Sequence, residues 1–424
     1  MNPWPVQERL EACPPALAVV DAAIGRLGGD AFLSGGPRSE ARRWVVGVAP
    51  AAELRPRGMD RDAIRAFAFR GPGPALGFLP YAWGLGEALG VRRDPGFPPG
   101  LLRRYHGLLE WDLPAGTLTI AADDPGLARD LRDLVRSSAR EGPSPSRFLR
   151  GKPPRPSGTR EEYVGGVRET LEAIRDGRVY QLNLSLRWEA AFEPRHSWPL
   201  FLHLFRRWPA SHYAYLDAGT HRLISTSPER FLQVRRGRVL SQPIKGTLRV
   251  PPGVREEPLQ AALAGSPKES AELSMIVDLI RNDLSRSCLH GSVTVPVHKA
   301  VFRVDDLLQM CSDVEGILRP DRDVVDLLAE AFPGGSVTGC PKEAAMELID
   351  ALEGRPRNAY CGAFILLEGP RDMDSSITIR TATVDVAAAR LVFDAGSGIV
   401  VDSDPEAEYL ETVAKAAKFL EVLA

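Results

Sequence analysis

The sequence predicts a globular fold that mixes helices and strands. Three observations predict it. Apolar residues recur at helical spacing in some segments and alternate at period two in others. The 424 residues are 44% hydrophobic, with 53 basic and 55 acidic side chains and a formal charge of −2. Turn and cap residues punctuate the patterned stretches. A disordered chain would be less hydrophobic and more charged. A nucleic-acid binder would show a positive excess, and the balance here is slightly acidic. No run of 18 apolar residues occurs, so no membrane-spanning helix is expected. Residues 1–10 hold Pro3, Trp4, Pro5 and charges where a secretory signal has an apolar stretch, so a cytoplasmic protein is expected. Cys13, Cys288, Cys311, Cys340 and Cys361 are scattered, with no CxxC spacing, as suits reduced thiols in a cytosol.

Along the chain, 1–142 reads as loosely patterned α and β, with a strand at 44–48 and a helix at 127–138. The stretch 143–158 is rich in Pro, Ser, Gly and Arg and reads as a linker to a better-patterned region at 159–424. There, Val164, Val167, Leu171 and Ile174 mark a helix that stops at Gly177. The strand that follows puts Tyr180, Leu182, Leu184 and Leu186 on one face and Gln181, Asn183 and Ser185 on the other. That polar face is either wet or the lining of a cavity. Residues 231–241 read as a hairpin about Gly237, and in a regular hairpin Glu229 and Lys245 would lie nearly opposite each other. Such a pair is either a strand-end salt bridge or a proton-exchanging couple.

A helix over 268–287 places Glu269 and Glu272 on one face. A second, opening at Ser403-Asp404-Pro405-Glu406, does the same for Glu408 and Glu411. These four are either solvated helix surface or two carboxylate pairs that meet at a hard cation such as Mg²⁺, which takes oxygen ligands. Residues 333–342 look superficially like a phosphate loop. They fail the pattern, because Gly339 precedes Cys-Pro, although the loop leads into a helix near Pro341. Residues 395–400 form a second glycine-rich turn. Of the 53 basic residues only seven are lysines, which leaves 46 arginines. A lysine in so arginine-rich a chain is a candidate for chemistry that needs a removable proton.

Seven segments, taken together and in this order, resemble the chorismate-utilising enzymes, which include anthranilate, aminodeoxychorismate, isochorismate and salicylate synthases. They are 180–185 (YQLNLS), 227–231 (SPERF), 243–247 (PIKGT), 275–284 (MIVDLIRNDL), 335–342 (GSVTGCPK), 379–381 (IRT) and 398–405 (GIVVDSDP). The resemblance covers about 160–424 and is weaker at 32–34 and 78–86. It implies an α+β fold, a two-sheet β-sandwich wrapped by helices, with a catalytic cleft between the sheets.

Within that family, anthranilate synthases read Pro-Ile-Ala-Gly-Thr where this chain reads Pro-Ile-Lys-Gly-Thr, as aminodeoxychorismate synthases commonly do. The resemblance implies that Lys245 attacks C2 of chorismate as the C4 hydroxyl leaves. Ammonia then adds at C4, as in aminodeoxychorismate synthase component I. The alternative is amination at C2, giving anthranilate or 2-amino-2-deoxyisochorismate. The amine must shed its proton to attack, and Glu229 fits as the acid that protonates the departing hydroxyl. Glu269, Glu272, Glu408 and Glu411 resemble Mg²⁺ ligands. Tyr360 and Arg380 resemble a pair that binds the enolpyruvyl carboxylate. Gly246, Thr247, Gly396 and Gly398 resemble residues lining the substrate, and Thr338 one near its ring.

Two positions depart from the family. Gln309 replaces a His associated with pyruvate elimination and cannot act as a base near pH 7, which favours a product that keeps its pyruvate. Leu33 replaces a Glu found in tryptophan-inhibited members, so such feedback is not expected. No Gly-x-Cys-x-Gly nucleophile is present, so ammonia is expected from solution or from a separate glutamine amidotransferase subunit in a heterodimer. A non-catalytic relative would be expected to lose Glu229, Lys245 or the glutamates, and all are kept.

Overall fold

The computed structural model describes residues 4–11, 17–34, 42–56, 58–83, 85, 90–137, 153–208, 210–251, 253–304 and 307–424. Cys13 and residues 143–152 of the expected linker lie outside them. The patterned segments form the elements their periodicities call for. Helix Arg160–Arg175 starts in a capping box between Thr159 and Glu162, and Gly177 follows its end at φ +72°. Ser266 caps helix Pro267–Ser285 by accepting from Glu269 N, and Asp404 caps helix Pro405–Val422 by accepting from Ala407 N. In each, proline sits in the first turn, where its missing N–H costs nothing.

All described strand pairings are antiparallel and join one ladder with two wings. In one wing Leu101–Asp112 leads through Arg43–Leu54, Gly29–Ser34, His212–Asp217, His221–Ser227, Thr381–Asp385 and Arg390–Ile399 to Gln181–Ala191. In the other it leads through Ala75–Leu79, Ala363–Gly369, Asp372–Ile377, Arg230–Arg235 and Arg238–Gln242 to Leu307–Ile317. Strand Leu101–Asp112 serves both because it pairs along most of its length with 43–54 and through its first residues with 76–78.

Apolar residues from the two wings, among them Phe32, Val45, Phe78, Leu216, Leu223 and Phe364, pack together as an inner core. Two larger clusters lie under helices. One holds Val167, Phe201, Ile349 and Phe419, and the other Ile64, Ile280, Val325 and Leu328. Each such buried side chain contributes roughly 1.5–3 kcal/mol. This is the helix-wrapped α+β sandwich the resemblance implies. Strands from before residue 142 pair directly with strands from after residue 159, at Phe32↔Ala214 and Phe364↔Phe78. The two regions are therefore woven into shared sheets.

One expected pairing is corrected. The hairpin turns at Arg236 and Gly237, both at positive φ, but it ends at Arg230↔Gln242 after a register shift. Lys245 lies beyond it, on strand Ile244–Arg249, opposite Met310. Glu229 and Lys245 are not cross-strand partners; other elements bring them together.

Candidate active site

The site forms where strand Gln181–Ala191 and its partner Arg390–Ile399, from one wing, approach strand Ile244–Arg249 of the other. Helices Pro267–Ser285 and Pro405–Val422 and the loop at 334–338 close it. Tyr180 is 59% exposed, whereas Gln181, Asn183 and Ser185 are buried as deeply as Leu182 and Leu184. The strand's polar face therefore lines the interior. Gln181 Oε1 is buried without a hydrogen-bond partner.

Gly246 puts Lys245 in place. The ladder slips by one residue between Lys245↔Met310 and Thr247↔Gln309, and Gly246 takes φ +70° there. A Cβ at Gly246 would lie 2.8 Å from Leu263 Cδ1 and 3.1 Å from Glu269 Oε2. Only glycine fits both the conformation and the space. Lys245 Nζ then stands 3.9 Å from Glu272 Oε2. Gly398 is the floor beneath this pair: a Cβ there would be 3.3 Å from Lys245 Nζ, 3.1 Å from Gln181 Nε2 and 3.5 Å from Glu272 Oε2. Gly396 lets the strands meet, since a Cβ would fall 2.4 Å from Leu184 O. Its carbonyl accepts from Lys415 Nζ at 3.1 Å.

Glu229 is buried and accepts a hydrogen bond from Ser336 Oγ at 2.6 Å. Burial raises its pKa to about 7, against the opposing pull of Ser336, Lys245 and Lys415. A carboxyl that holds its proton to near neutrality, close to two ammonium groups, suits a general acid.

The four glutamates gather across the two helices. Glu408 is 1% exposed and accepts from Ser403 Oγ at 2.6 Å and from Lys268 Nζ at 2.9 Å, both at Oε1. Its Oε2 is buried with no partner. Lys268 Nζ also lies 3.9 Å from Glu272 Oε1. Burial and then its neighbours' charge raise Glu269, whose largest repulsion is from Glu411; Glu272 is raised by burial, and Glu269 and Glu408 add to it. Burial would also raise Glu411, yet the ammonium of Lys415 at 2.7 Å holds it below the usual range. Among the described residues no three acidic or imidazole groups converge closely enough to chelate an ion as they stand. The Lys268 ammonium takes a cation's place between Glu408 and Glu272. The orphaned Glu408 oxygen and the crowding of like charges fit a hard divalent ion.

Tyr360 is buried, and its pKa is raised by that burial. Close to it, Arg380 is held at φ +49°, and burial lowers its pKa with only Tyr360 opposing. No carboxylate among the described residues pairs with Arg380, so an anion is what its guanidinium lacks. Thr338 helps to hold the loop against the polar strand. Its hydroxyl donates to Gly334 O at 3.1 Å and its carbonyl accepts from Asn183 N at 2.8 Å, so it fastens the loop. Thr247 and Gln309 face each other in register, and the Thr247 side chain lies outside the described residues.

A model of the family described as chorismate binding enzyme matches residues 42–421. The chain belongs to that family. An aminodeoxychorismate synthase component 1 from Klebsiella aerogenes is 39% identical over 365 residues, 83% of this chain and 79% of that protein. Two others of that name match over 58% of their length. Anthranilate synthase component 1 from Haloferax volcanii is 37% identical over 312 residues, 71% of this chain and 59% of that protein. The solved anthranilate synthase component I from Streptococcus pneumoniae superposes with a TM-score of 0.72 at 25% identity, covering 99% of this chain and 93% of that one. The fold is thus that of a chorismate-binding enzyme.

Two groups at this site escape a motif-by-motif reading of the sequence. Ser336 is one. The other is Arg357, whose Nη2 donates to Asn183 O and Glu353 Oε1, both at 2.6 Å, and whose Nη1 donates to Val337 O at 3.0 Å. Its guanidinium also lies over the rings of Tyr81 and Tyr360. Arg357 thereby ties the polar strand, the loop and Tyr360 to the buried end of helix Lys342–Glu353. Its spacing of four from Glu353 is the only sequence signal.

Proposed function

We propose that the protein aminates chorismate at C4 to 4-amino-4-deoxychorismate, as component I of an aminodeoxychorismate synthase. The observation behind this reading is Lys245, set by the Gly246 bulge over Gly398, in the same buried site as an acid protonated to about pH 7. The amine attacks C2, the C1–C2 double bond shifts to C1–C6, the C5–C6 double bond shifts to C4–C5, and the C4–O bond breaks. Glu229 supplies the proton with which the hydroxyl leaves as water. Ammonia then forms a bond to C4, both double bonds return to C5–C6 and C1–C2, and the Lys245 amine departs from C2. Gln309, in place of a base, suits retention of the pyruvate.

Arg380 and Tyr360 would take the enolpyruvyl carboxylate, which supplies the missing counter-charge. Glu269, Glu272, Glu408 and Glu411 would hold Mg²⁺, and Lys268 would yield its place. The ion, when bound, neutralises the ring carboxylate. Ammonia would come from solution or from a separate glutamine amidotransferase subunit, in keeping with the component 1 name of the relatives. Amination at C2 is the second reading, favoured by the 37% identical anthranilate synthase component 1.

The test is Lys245→Ala beside Lys245→Arg. Both should lose C4 amination, since neither offers an amine that can become neutral. A chorismate analogue with a suitable leaving group should label Lys245 in the wild type and no other lysine. Full C4 amination by Lys245→Ala would defeat the proposal.

A further inference from the structure

Within residues 333–342, which fail the phosphate-loop pattern, the loop holds one side chain that no motif assigns. We infer that Ser336 is a positioning residue for the general acid: its hydroxyl occupies Glu229 Oε1, so that Oε2 bears the proton passed to the departing hydroxyl. The inference rests on the reading of Glu229 as that acid.

Satisfaction of hydrogen bonds sets the direction of this contact. Ser336 is buried, and its one described side-chain hydrogen bond, at 2.6 Å, is to Glu229 Oε1. A proton on Oε1 would have to donate to Ser336, leaving the serine proton without an acceptor in a buried place. With the proton on Oε2, both hydrogens are usable.

The geometry is held from both sides. Glu229 N donates to Ser227 Oγ at 3.2 Å, and Glu229 O accepts from Ile377 N at 3.1 Å. On the loop, a Cβ at Gly335 would lie 2.5 Å from Leu279 Cδ2, and Arg357 Nη1 holds Val337 O. Lys342 Nζ anchors the loop's far end, donating to Asp283 Oδ2 at 2.8 Å and Ala331 O at 3.0 Å. Ser336 is therefore a fixed donor, not a rotor that finds the carboxyl by chance.

As the C4–O bond breaks, the Oε2–H proton moves to the leaving oxygen and Glu229 becomes a carboxylate. The Ser336 bond then becomes charge-assisted and strengthens. The proton is restored when the amine newly bonded at C4 sheds one. The charged groups facing Glu229 are Lys245 and Lys415, and both favour the same ionised form. Without Ser336, burial is less opposed, and Glu229 keeps its proton to higher pH.

The experiment measures kcat and KM for chorismate from pH 6 to 9.5, with free ammonia held constant. It compares wild type, Ser336→Ala, Ser336→Thr, Glu229→Gln and the Ser336→Ala/Glu229→Gln double variant. In Ser336→Ala, kcat should fall about tenfold or more with KM little changed. Its alkaline limb should move up by about half a pH unit or more. Ser336→Thr keeps a donor and should keep the wild-type limb. Added to Glu229→Gln, the alanine change should do almost nothing. An unmoved limb in Ser336→Ala, or an equal loss in the Glu229→Gln background, overturns the inference. A shifted limb in an enzyme that releases only C2-aminated product supports it while refuting the C4 reading. A wild type inert toward chorismate and ammonia overturns both.

Discussion

Replacing Glu229 by glutamine should change how stability depends on pH. The folded protein holds this carboxyl at about 7 against 4.5 for a free one. The sign follows from proton binding. A raised folded pKa means the native state binds the proton more tightly. Its contribution to stability is complete below pH 4.5 and is lost as pH rises through about 7. At about 1.4 kcal/mol per unit, wild type should lose roughly 2–3 kcal/mol from this one group between pH 5 and 8. The Glu229→Gln side chain keeps the acceptor for Ser336 and has nothing to titrate. Urea unfolding of both proteins across that range should therefore show the variant gaining roughly 2–3 kcal/mol on wild type. Amination by the variant should meanwhile fall roughly 10²–10⁴-fold. A stability difference independent of pH would refute the buried, proton-holding Glu229 on which the mechanism depends.

Glu272→Ala and Glu411→Ala should abolish turnover while leaving the fold intact. Wild-type rates at saturating Mg²⁺ would leave these acids no part in holding the metal. Mg²⁺ should raise the melting temperature of wild type, and this rise should vanish in Glu408→Gln, which loses the anionic donor. Arg357→Met removes the closest counter-charge of buried Glu353, leaving only Arg355 at 3.8 Å and the Ser185 donors, and should cost about 3–5 kcal/mol by denaturant unfolding. A loss under about 1 kcal/mol would contradict its place as the tie between strand, loop and Tyr360.

Much of this architecture is legible in the chain, because the relevant signals are local. Thr159 and Glu162, or Asp404 and Pro405, announce helix starts within one turn. The alternation at 180–186 predicts a strand with a polar face, and the burial of Gln181, Asn183 and Ser185 decides between the cavity and the wet surface. The glutamate pairs are visible at i, i+3 on each helix. Their meeting is not, because it depends on the packing of two helices that lie far apart in sequence. The same limit explains Lys245. Its mirror placement with Glu229 presumes a regular hairpin, but the shift after Arg230 and the bulge at Gly246 hand it to a different strand. Ser336 lacks a residue-type signal, since a serine among glycines is ordinary turn composition. Its meaning appears only when Glu229, 107 residues away, arrives at 2.6 Å.

The central claim is that nitrogen enters at C4. One incubation tests it: chorismate, ¹⁵N-labelled ammonium and Mg²⁺ with the protein, the products located by NMR before and after adding an aminodeoxychorismate lyase. The account predicts ¹⁵N bonded to C4 in a product that retains its enolpyruvyl group, converted by the lyase to labelled p-aminobenzoate. Label at C2, with anthranilate or 2-amino-2-deoxyisochorismate as the product and no p-aminobenzoate, would contradict it.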